Sequence, residues 1–478
     1  MNESERSSLV MMRDRWIAGG TAEVLAPDAW KEITADQTDQ HERFLLAIAG
    51  QGFDVAFRPA APGTLSICAP LPVLALPTLP ESMRPVLRAA LKQAGAARGM
   101  SHVAAFVASR GFAPHPLDWM PAASDLDAPA VYAPWVDWQS DRAKSGSSAR
   151  EQLDAETWGS FPPAVLRAHL SEMRRSDPAG ALALMEAKAA EESAETRLAL
   201  LALLDNGLSA ADAPFLASLV GDKSSKVRQL AMRLLARIGR RDTGVEGDAA
   251  VTELAGLIEQ SRAGVIRRRT VYGPMKLKSM AQQQHRTTLF ELCQLIDLAA
   301  KFGVSENEFI AGWQFGIEES VDLAFARMVA ASANDQIVSQ LADMLIVDAA
   351  VAPLAALGPR LDEARRRSFV RTVLAGEPRF LALLDPSIAI ELCGLDRDEI
   401  MASKAYRQVR GAIEAGNGPG VAPVAAHCFI FGFLASAAAA QSILADLALA
   451  GLGPADTALG LLRLNAALAG TSSPQILN

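Results

Sequence analysis

The hydrophobic pattern of the chain is clearest in residues 222–239, where apolar residues recur at the spacing of one helix face. They occupy Val227, Leu230, Ala231, Leu234 and Ile238. A spacing of three and four residues is that of an amphipathic helix with one buried side. Gly239 follows at the position where a helix end favours a left-handed residue. We therefore predict a helix that packs along one side and ends at Gly239.

A second amphipathic segment precedes this one at a repeat-like distance. Arg197 lies 31 positions before Arg228, within a segment at 195–207 that ends in Asn-Gly. Two such helices in register indicate helical hairpins that stack on one another, as in an α-solenoid. Residues suited to cap helix N-termini occur throughout this region, at Asp177, at Ser193, and at Ser209 with Asp212.

Helical periodicity extends over most of the chain, and Ala and Leu, which favour helices, dominate its composition. The predicted fold class is all-α, an α-α superhelix with an irregular Pro/Trp-rich N-terminal region. The polar run at 141–150 has the composition of a linker. The predicted organisation has four parts: an N-terminal helical region with irregular Pro/Trp-rich segments at 1–150, helical repeats at 151–260, a basic loop at 261–286 and stacked C-terminal helices at 287–478.

The balance of charge argues against a dedicated nucleic-acid binder. The 478 residues carry a formal net charge of −8, whereas such proteins normally show a basic footprint. The four cysteines are scattered and fit neither a disulfide framework nor paired metal-ligand spacing. The first residues lack the pattern of a secretory signal. A reducing, cytoplasmic location is expected.

Residues 421–445 contain no charged residue, and a stretch of this length could span a bilayer. Pro423, Gly432 and several polar residues interrupt it, and Ala supplies much of its apolar character. We predict a buried, Ala-rich helical hairpin, with a membrane-spanning helix as the alternative.

The sequence contains none of the motifs that carry common chemistry. A Walker A loop, a Gly-x-Gly-x-x-Gly segment after a strand, a His-Glu-x-x-His zinc motif and a Gly-x-Ser-x-Gly nucleophile elbow are all absent. His427 and Cys428 are adjacent but have no ligand partner at close spacing, so a buried structural pair is predicted there. No catalytic residue, metal or cofactor is predicted.

Two sets of residues are candidates for an interaction surface. The first concentrates positive charge in an acidic protein and comprises Arg267, Arg268, Arg269, Lys276, Lys278 and Arg286. It fits a docking loop for an acidic partner or a phosphate-bearing ligand, with a solvated loop as the alternative. The second set comprises Trp119, Trp135 and Trp138. These tryptophans could line a peptide-binding or base-stacking groove, or pack an irregular segment against the helices. The arginines at 365–367 are expected to be solvated.

Residues 222–239 resemble the second helix of a HEAT repeat. The features that carry this resemblance are the turn Asp222, the Val227-Arg228 pair, the small and apolar residues after it, and the closing Gly239. In that family the Asp and Arg side chains form hydrogen-bonded ladders between neighbouring repeats. The resemblance therefore implies a ladder through Asp222 and Arg228, with Arg197 in the preceding unit.

The wider run 167–237 resembles an uncharacterised bacterial family with HEAT-like helices. The resemblance rests on Leu-Ser-Glu-Met-Arg-Arg-Ser-Asp-Pro-Ala-Gly-Ala-Leu at 170–182 and Asp-Asn-Gly-Leu-Ser-Ala-Ala-Asp-Ala-Pro-Phe-Leu at 205–216. Members of that family tend to be encoded beside MoxR-type AAA ATPases and von Willebrand A-domain proteins. The resemblance thus implies an accessory role with such a protein as partner, and it assigns no catalytic residue.

The leading functional hypothesis is a non-enzymatic scaffold or adaptor, since stacked helices offer an extended surface for protein partners. One alternative is a HEAT-like enzyme of DNA-glycosylase type, which needs a basic face with aromatic residues. It predicts that Arg228, residues 267–269 and the tryptophans share one concave face. The other alternative is a membrane-associated adaptor, which requires that residues 421–445 are not buried between helices.

Overall fold

The computed structural model describes residues 3–35, 40–56, 70–122, 129–143, 153–161, 163–241, 245–263, 269–392, 394–416 and 422–468. Helices form nearly all of the regular structure in these residues, which confirms the all-α fold class. By its contacts the chain divides into two compact units, Met1–Pro70 and Leu71–Asn478.

The first unit is a small helical cluster. Its helices are α1 (Glu3–Ile17), α2 (Asp28–Thr34) and α3 (His41–Ala56), with a 3-10 turn at Glu23–Leu25. Its buried core consists of Leu9, Met12, Ala22, Ala26, Leu45 and Ala49. The carboxylate of Glu42 accepts hydrogen bonds from the Trp16 indole N–H and the Ala22 backbone N–H, both at 2.8 Å, and so joins α3 to the segment after α1.

The second unit begins with a series of helices and short 3-10 turns. The helices are α4 (Arg84–Ala94), α5 (Ala97–Ser109), α6 (Ala133–Ala143), α7 (Pro163–Ser176), α8 (Pro178–Ala189), α9 (Ala194–Leu203), α10 (Ala213–Leu219), α11 (Ser225–Arg237) and α12 (Val245–Ala255). The 3-10 turns lie at Glu81–Met83, Ala130–Tyr132, Trp158–Ser160 and Ala210–Asp212.

A two-stranded hairpin and further helices follow. The strands are β1 (Ile258–Ala263) and β2 (Arg269–Pro274). The helices are α13 (Met280–Leu292), α14 (Leu295–Lys301), α15 (Glu306–Gly312), α16 (Glu319–Ser332), α17 (Asp335–Val347), α18 (Val351–Leu357), α19 (Glu363–Ala375), α20 (Pro386–Glu391), α21 (Arg397–Met401), α22 (Lys404–Glu414), α23 (Ala422–Leu434), α24 (Ala437–Leu449) and α25 (Gly460–Leu468). Additional 3-10 turns lie at Gly358–Arg360, Pro378–Leu383 and Thr457–Leu459.

The predicted capping residues set where the helices of the central region begin and end. The Asp177 carboxylate accepts the Gly180 N–H at 3.0 Å at the start of α8, and the Ser193 hydroxyl accepts the Thr196 N–H at 3.1 Å at the start of α9. Each cap satisfies a backbone donor that the first helical turn leaves without a partner. At the other end of α11, Gly239 has φ of 73°, the left-handed conformation predicted for it.

Helices α7 to α11 share a core of their own, and the odd-numbered helices of this series pack against one another. α7 contacts α9, and α9 contacts α11, while α8 and α10 pack against this series. The predicted inner face of α11 is buried at Val227, Ala231 and Leu234, which lie among the leucines of the neighbouring helices. Helix α11 also contacts α16, so this series leads directly into the larger core.

The beginning and the end of the second unit pack against each other. Helix α25 contacts α4, and the Gln93 side chain accepts the Leu461 N–H at 2.8 Å and donates to the Ala458 carbonyl at 2.6 Å. Residues 71–122 therefore share one core with the C-terminal helices.

The predicted basic loop of residues 261–286 instead contains regular structure. β1 pairs antiparallel with β2, from Ile258 opposite Pro274 to Ala263 opposite Arg269. The last four residues of β2 are buried, and Tyr272 packs on Phe302 and Phe309 with ring centroids 5.1 and 4.5 Å apart. Burial of this aromatic run holds the strand in place, and α13 begins soon after it.

Residues 422–445 of the apolar stretch span α23 and part of α24, two 13-residue helices that both pack on α25. Helix α23 contacts α20, α22 and α25, so its apolar residues lie between helices. In the ranges covered by the structure, no helix combines the length and the apolar character needed to cross a bilayer.

Candidate protein-binding groove

The Asp and Arg residues that the HEAT-like pattern singled out lie in contact. Arg197 forms a two-pronged ion pair with Asp222, Nε to Oδ2 at 2.8 Å and Nη2 to Oδ1 at 3.1 Å. Arg228 donates from Nη1 to the Asp222 main-chain oxygen at 2.8 Å. Burial opposes ionisation of Asp222, but the Ser224 N–H and the Arg197 guanidinium together hold the pKa of this carboxyl below its ordinary value.

A second ion pair joins the opposite ends of the same two helices. Arg237, the last residue of α11, pairs with Asp205, which follows the end of α9. The Arg197–Asp222 pair joins the N-terminal ends of these helices. Helices α9 and α11 therefore run in the same direction, as equivalent helices of consecutive hairpin units do.

A fully buried ion pair lies deeper in this region and was not predicted. Both oxygens of Asp212 accept from the guanidinium of Arg174, at 2.9 and 3.1 Å. Arg174 also donates to the carbonyls of Asn206, Gly207 and Pro178. The sequence predicted only that Asp212 pairs with Ser209 in a capping box, and the structure confirms this capping box. Nothing in the local pattern indicated an ion-pair partner 38 residues away.

An open groove of about 750 Å³ runs along one face of α17 and contains the predicted residue Arg269. We call it the hairpin groove. The α17 residues that line it recur at helical spacing: Gln336, Ser339, Gln340, Asp343, Met344 and Val347. Arg269, at the start of β2, lines the groove together with Trp313 and Phe315. The groove thus combines amide and hydroxyl groups with apolar surface, the chemistry that can hold an extended or helical peptide.

The groove residue Trp313 is held rigidly. Its ring stacks on Phe325 with centroids 4.2 Å apart and planes 3° from parallel. Its indole N–H donates to Asp322 at 3.3 Å, and the same carboxylate accepts the Gly316 N–H at 2.7 Å. Burial raises the pKa of Asp322. The backbone at Trp313 also bridges to Tyr272 of β2, so the hairpin is attached to the groove wall.

Val347 marks the far end of the groove and is 83% exposed, although it is a large apolar residue. Met344 and Phe315 are partly buried beside it in the same lining. The groove therefore offers apolar surface that no other described part of the chain covers.

The predicted basic set does not form one surface. Arg267 and Arg268 lie outside the described residues. Arg269, Lys276 and Lys278 are exposed. Arg286, by contrast, is fully buried and donates to the Met275 carbonyl and to Glu318, both at 2.6 Å. It is a structural residue that holds the segment after β2 against the start of α16.

The predicted tryptophans belong mainly to the core. Trp119 and Trp135 are 7% and 3% exposed, and both pack against Tyr132. The Trp135 indole N–H donates to the Pro72 carbonyl at 2.9 Å. Trp138 is half-buried. The packing alternative thus describes Trp119 and Trp135, and neither ring has a free face on which a peptide or base could stack.

Among the arginines of α19 that were expected to be solvated, Arg367 is exposed and pairs within its own helix, whereas others connect α19 to neighbouring helices. Arg365 binds Asp343 of α17 through two bonds of 2.8 Å, and Arg371 binds Glu399 of α21 at 3.0 Å. Arg366 pairs with Glu391 at the end of α20. These pairs join α19 to α17, α20 and α21, and Arg365 also borders the hairpin groove.

His427 and Cys428 are both buried in α23, as predicted. Burial lowers the pKa of His427. Within the part of the chain that the structure describes, no group of three or more His, Cys, Asp or Glu side chains is arranged to hold a metal ion.

The described residues thus form an all-α protein in which ion pairs join several neighbouring helices and an open groove runs along α17. Residues 130–242 match DUF5691, a family of unknown function. The matched segment contains α7 to α11 and both phrases that carried the resemblance to an uncharacterised family. No curated protein and no solved structure matches the chain.

Proposed function

We propose that this protein is a non-enzymatic scaffold or adaptor that binds a protein partner in the hairpin groove. The observation that carries the proposal is the lining of that groove. One face of α17 presents polar side chains beside the exposed Val347, and Arg269 adds a positive charge to the same lining. Exposed apolar surface rimmed by polar groups is characteristic of protein–protein interaction sites.

The arrangement of α7 to α11 supports a HEAT-like solenoid in the central region. Helices α9 and α11 run in the same direction, and the Arg197–Asp222 pair joins them as a ladder between HEAT repeats would. Ion pairs that connect successive helices continue in the C-terminal part through Arg365 and Arg371. A solenoid of this kind presents an extended, rigid surface and needs no chemistry of its own.

The partner that we propose to test first is a MoxR-type AAA ATPase or a von Willebrand A-domain protein. This choice rests on the resemblance of residues 167–237 to a family encoded beside such proteins. The tagged full-length chain is to be captured from its native cells and the bound proteins identified by mass spectrometry. The groove variant is Arg269→Glu with Val347→Asp, because both side chains are exposed and their replacement leaves the core intact.

The matched control is Arg240→Glu with Leu449→Asp, which makes the same changes at exposed positions outside the groove. We expect the wild-type chain and the control to retain the same partner and the groove variant to lose it. If all three chains retained the partner equally, the scaffold role would still be supported, but the groove would not be the binding site. Recovery of no specific protein by the wild-type chain would overturn the scaffold role.

A further inference from the structure

A second cavity, of about 560 Å³, lies where α11 meets α16. We call it the α11–α16 cleft. Its lining comes from α11, α16, the end of α13 and one residue of α9. The cleft therefore lies where the helices of the family-matched segment meet the larger core.

Hydrogen bonds across the cleft fix its shape. Gln229 Nε2 donates to the main-chain oxygen of Glu291 at 2.8 Å, and Arg233 Nη2 donates to the same oxygen. Glu291 lies in the last turn of α13, where carbonyl groups lack helical partners and favour a cation. Arg233 is thus held at the cleft wall, and burial lowers its pKa because its charge is poorly hydrated there.

The charge of the cleft is opposite to that of the whole chain. Lys226, Arg233 and Arg327 line it, and among the described lining residues Glu291 alone carries a carboxylate. Lys226 and Arg327 are exposed and have no ion-pair partner among the residues that the structure describes. In a protein of net charge −8, this local excess of positive charge favours an anionic ligand.

Between these cations the cleft is apolar. Leu198, Leu230, Leu292, Met328 and Ala331 line it. Leu292 is 49% exposed, so this surface is open to a ligand. Single-stranded nucleic acid is disfavoured because it binds by stacking its bases on aromatic rings, whereas Phe290, the aromatic residue among the described lining residues, is fully buried. A peptide whose acidic side chains face Lys226 and Arg327, with apolar side chains between them, fits the cleft better than nucleic acid does.

We propose that the α11–α16 cleft binds an acidic, amphipathic peptide segment of a partner protein. The proposal rests on the scaffold role and names the chemistry of a partner segment at a site separate from the hairpin groove. Carboxylates of the segment pair with Lys226 and Arg327, and its apolar side chains contact Leu230 and Leu292.

The test is fluorescence anisotropy of the full chain with a fluorescein-labelled 15-residue peptide of Glu and Leu, the Leu residues placed on one helix face. Two further peptides replace every Glu by Lys or every Leu by Ser. The cleft variants are Lys226→Glu with Arg327→Glu, and Leu292→Ser. The control, Lys276→Glu with Lys278→Glu, makes the same charge change at exposed positions outside the cleft.

We expect the Glu–Leu peptide to bind the wild-type chain and the control equally. The double charge reversal should weaken binding on the order of tenfold or more, since two attractive charge contacts become repulsive. Leu292→Ser should weaken it about threefold, as expected for a partly exposed apolar contact. Equal binding by the cleft variants and the control would overturn the proposal. So would no binding by the wild-type chain, equal binding of the Lys–Leu peptide, or tighter binding of a 15-nucleotide single-stranded DNA.

These outcomes separate the cleft from the scaffold role. Suppose that the wild-type chain captures a partner from native cells, while the cleft variants bind the Glu–Leu peptide as well as the control does. The cleft proposal is then wrong, and the scaffold role is still supported. If the wild-type chain captures no protein at all, the scaffold role falls, and the cleft proposal falls with it.

Discussion

Arg174 and Asp212 form an ion pair in which each side chain is 1% exposed. The pair joins the two sequence phrases that carry the resemblance of the central region to an uncharacterised family. Arg174 belongs to the phrase at 170–182 and Asp212 to the phrase at 205–216. The same guanidinium also binds the carbonyls of Asn206 and Gly207 in the second phrase. The two phrases are therefore one structural unit, which fixes the C-terminal end of α7 against the turn before α10.

Removal of the Asp212 carboxylate is predicted to destabilise α7 to α11 strongly. Asp212→Ala leaves the buried Arg174 charge without its counter-ion, a change that typically costs about 3–5 kcal/mol. We expect the free energy of opening of these helices, measured by native-state hydrogen exchange of their amides, to fall by about that amount.

The control for this experiment is an exposed ion pair of the same chemical type. Glu363 and Arg367 of α19 pair at 2.7 Å, with side chains 73% and 54% exposed. Glu363→Ala is expected to lower the opening free energy of α19 by less than about 1 kcal/mol. Equal effects of the two substitutions would show that the burial of the Arg174–Asp212 pair has no energetic consequence.

The features that the sequence predicted correctly depend on interactions between residues that are close together in the chain. The apolar face of α11 and the caps at Asp177 and Ser193 depend on residues within a few positions of one another, and the structure confirms them. The hairpin was not predicted, because Tyr-Gly-Pro at 272–274 has the composition of a break in a helix. It is a strand because Tyr272 is buried against aromatic rings from α15 and the segment before it.

Contacts between distant segments explain the other differences. Gln93 binds backbone groups near residue 460, and no periodicity in either segment encodes that contact. The burial of Arg286 likewise follows from Glu318, which lies 32 residues later and became its partner only when the chain folded. Of the candidate groove, the sequence indicated Arg269, whereas the α17 face became recognisable as a groove wall only once its neighbours were placed.

Asp297 is predicted to make stability fall as pH rises. Burial raises the pKa of this carboxyl, although Arg241 binds Oδ1 at 3.0 Å, and Oδ2 is buried without a hydrogen-bond partner. The folded-state pKa lies above the unfolded-state pKa, so the folded chain holds the proton more tightly. Its stabilising effect is complete below the unfolded pKa and is lost as pH rises through the folded pKa. Asp297→Asn should therefore gain stability relative to the wild type as pH increases, in thermal unfolding followed by circular dichroism from pH 4 to 8.

Asp118 provides a control of opposite sign. The Arg84 guanidinium, bound at 2.6 Å, lowers the pKa of this buried carboxyl. Its stabilising effect is present above the unfolded pKa and is lost as pH falls through the folded pKa. Asp118→Asn should be less stable than the wild type at pH 7, with a difference that shrinks towards low pH. If both variants changed with pH in the same direction, the assignment of opposite shifts would be wrong.

Cys293 and Cys428 are predicted to be unreactive in the native protein. Both are buried, and burial raises the pKa of both thiols to about 12. Since the thiolate is the reactive form, alkylation by iodoacetamide at pH 8 should modify neither residue until the chain is unfolded in denaturant. Peptide mass spectrometry before and after denaturation measures the modified fraction at each site. Rapid native labelling of Cys293, which borders the α11–α16 cleft, would show that the cleft opens to expose its floor.

The contact between α25 and α4 is predicted to tolerate no side chain at Gly460. A Cβ placed there would lie 2.7 Å from the Ala89 carbonyl oxygen, a backbone atom that cannot turn away. Gly460→Ala should therefore separate the two helices and lower the free energy of unfolding by about 1–3 kcal/mol, as overpacking of a core does. Gly411→Ala in α22 is the matched control, because a Cβ there meets nothing within 4 Å and alanine favours a helix over glycine by about 0.5–1 kcal/mol. Denaturant unfolding should move the two variants in opposite directions. Equal stability of Gly460→Ala and the wild type would mean that α25 does not pack closely on α4.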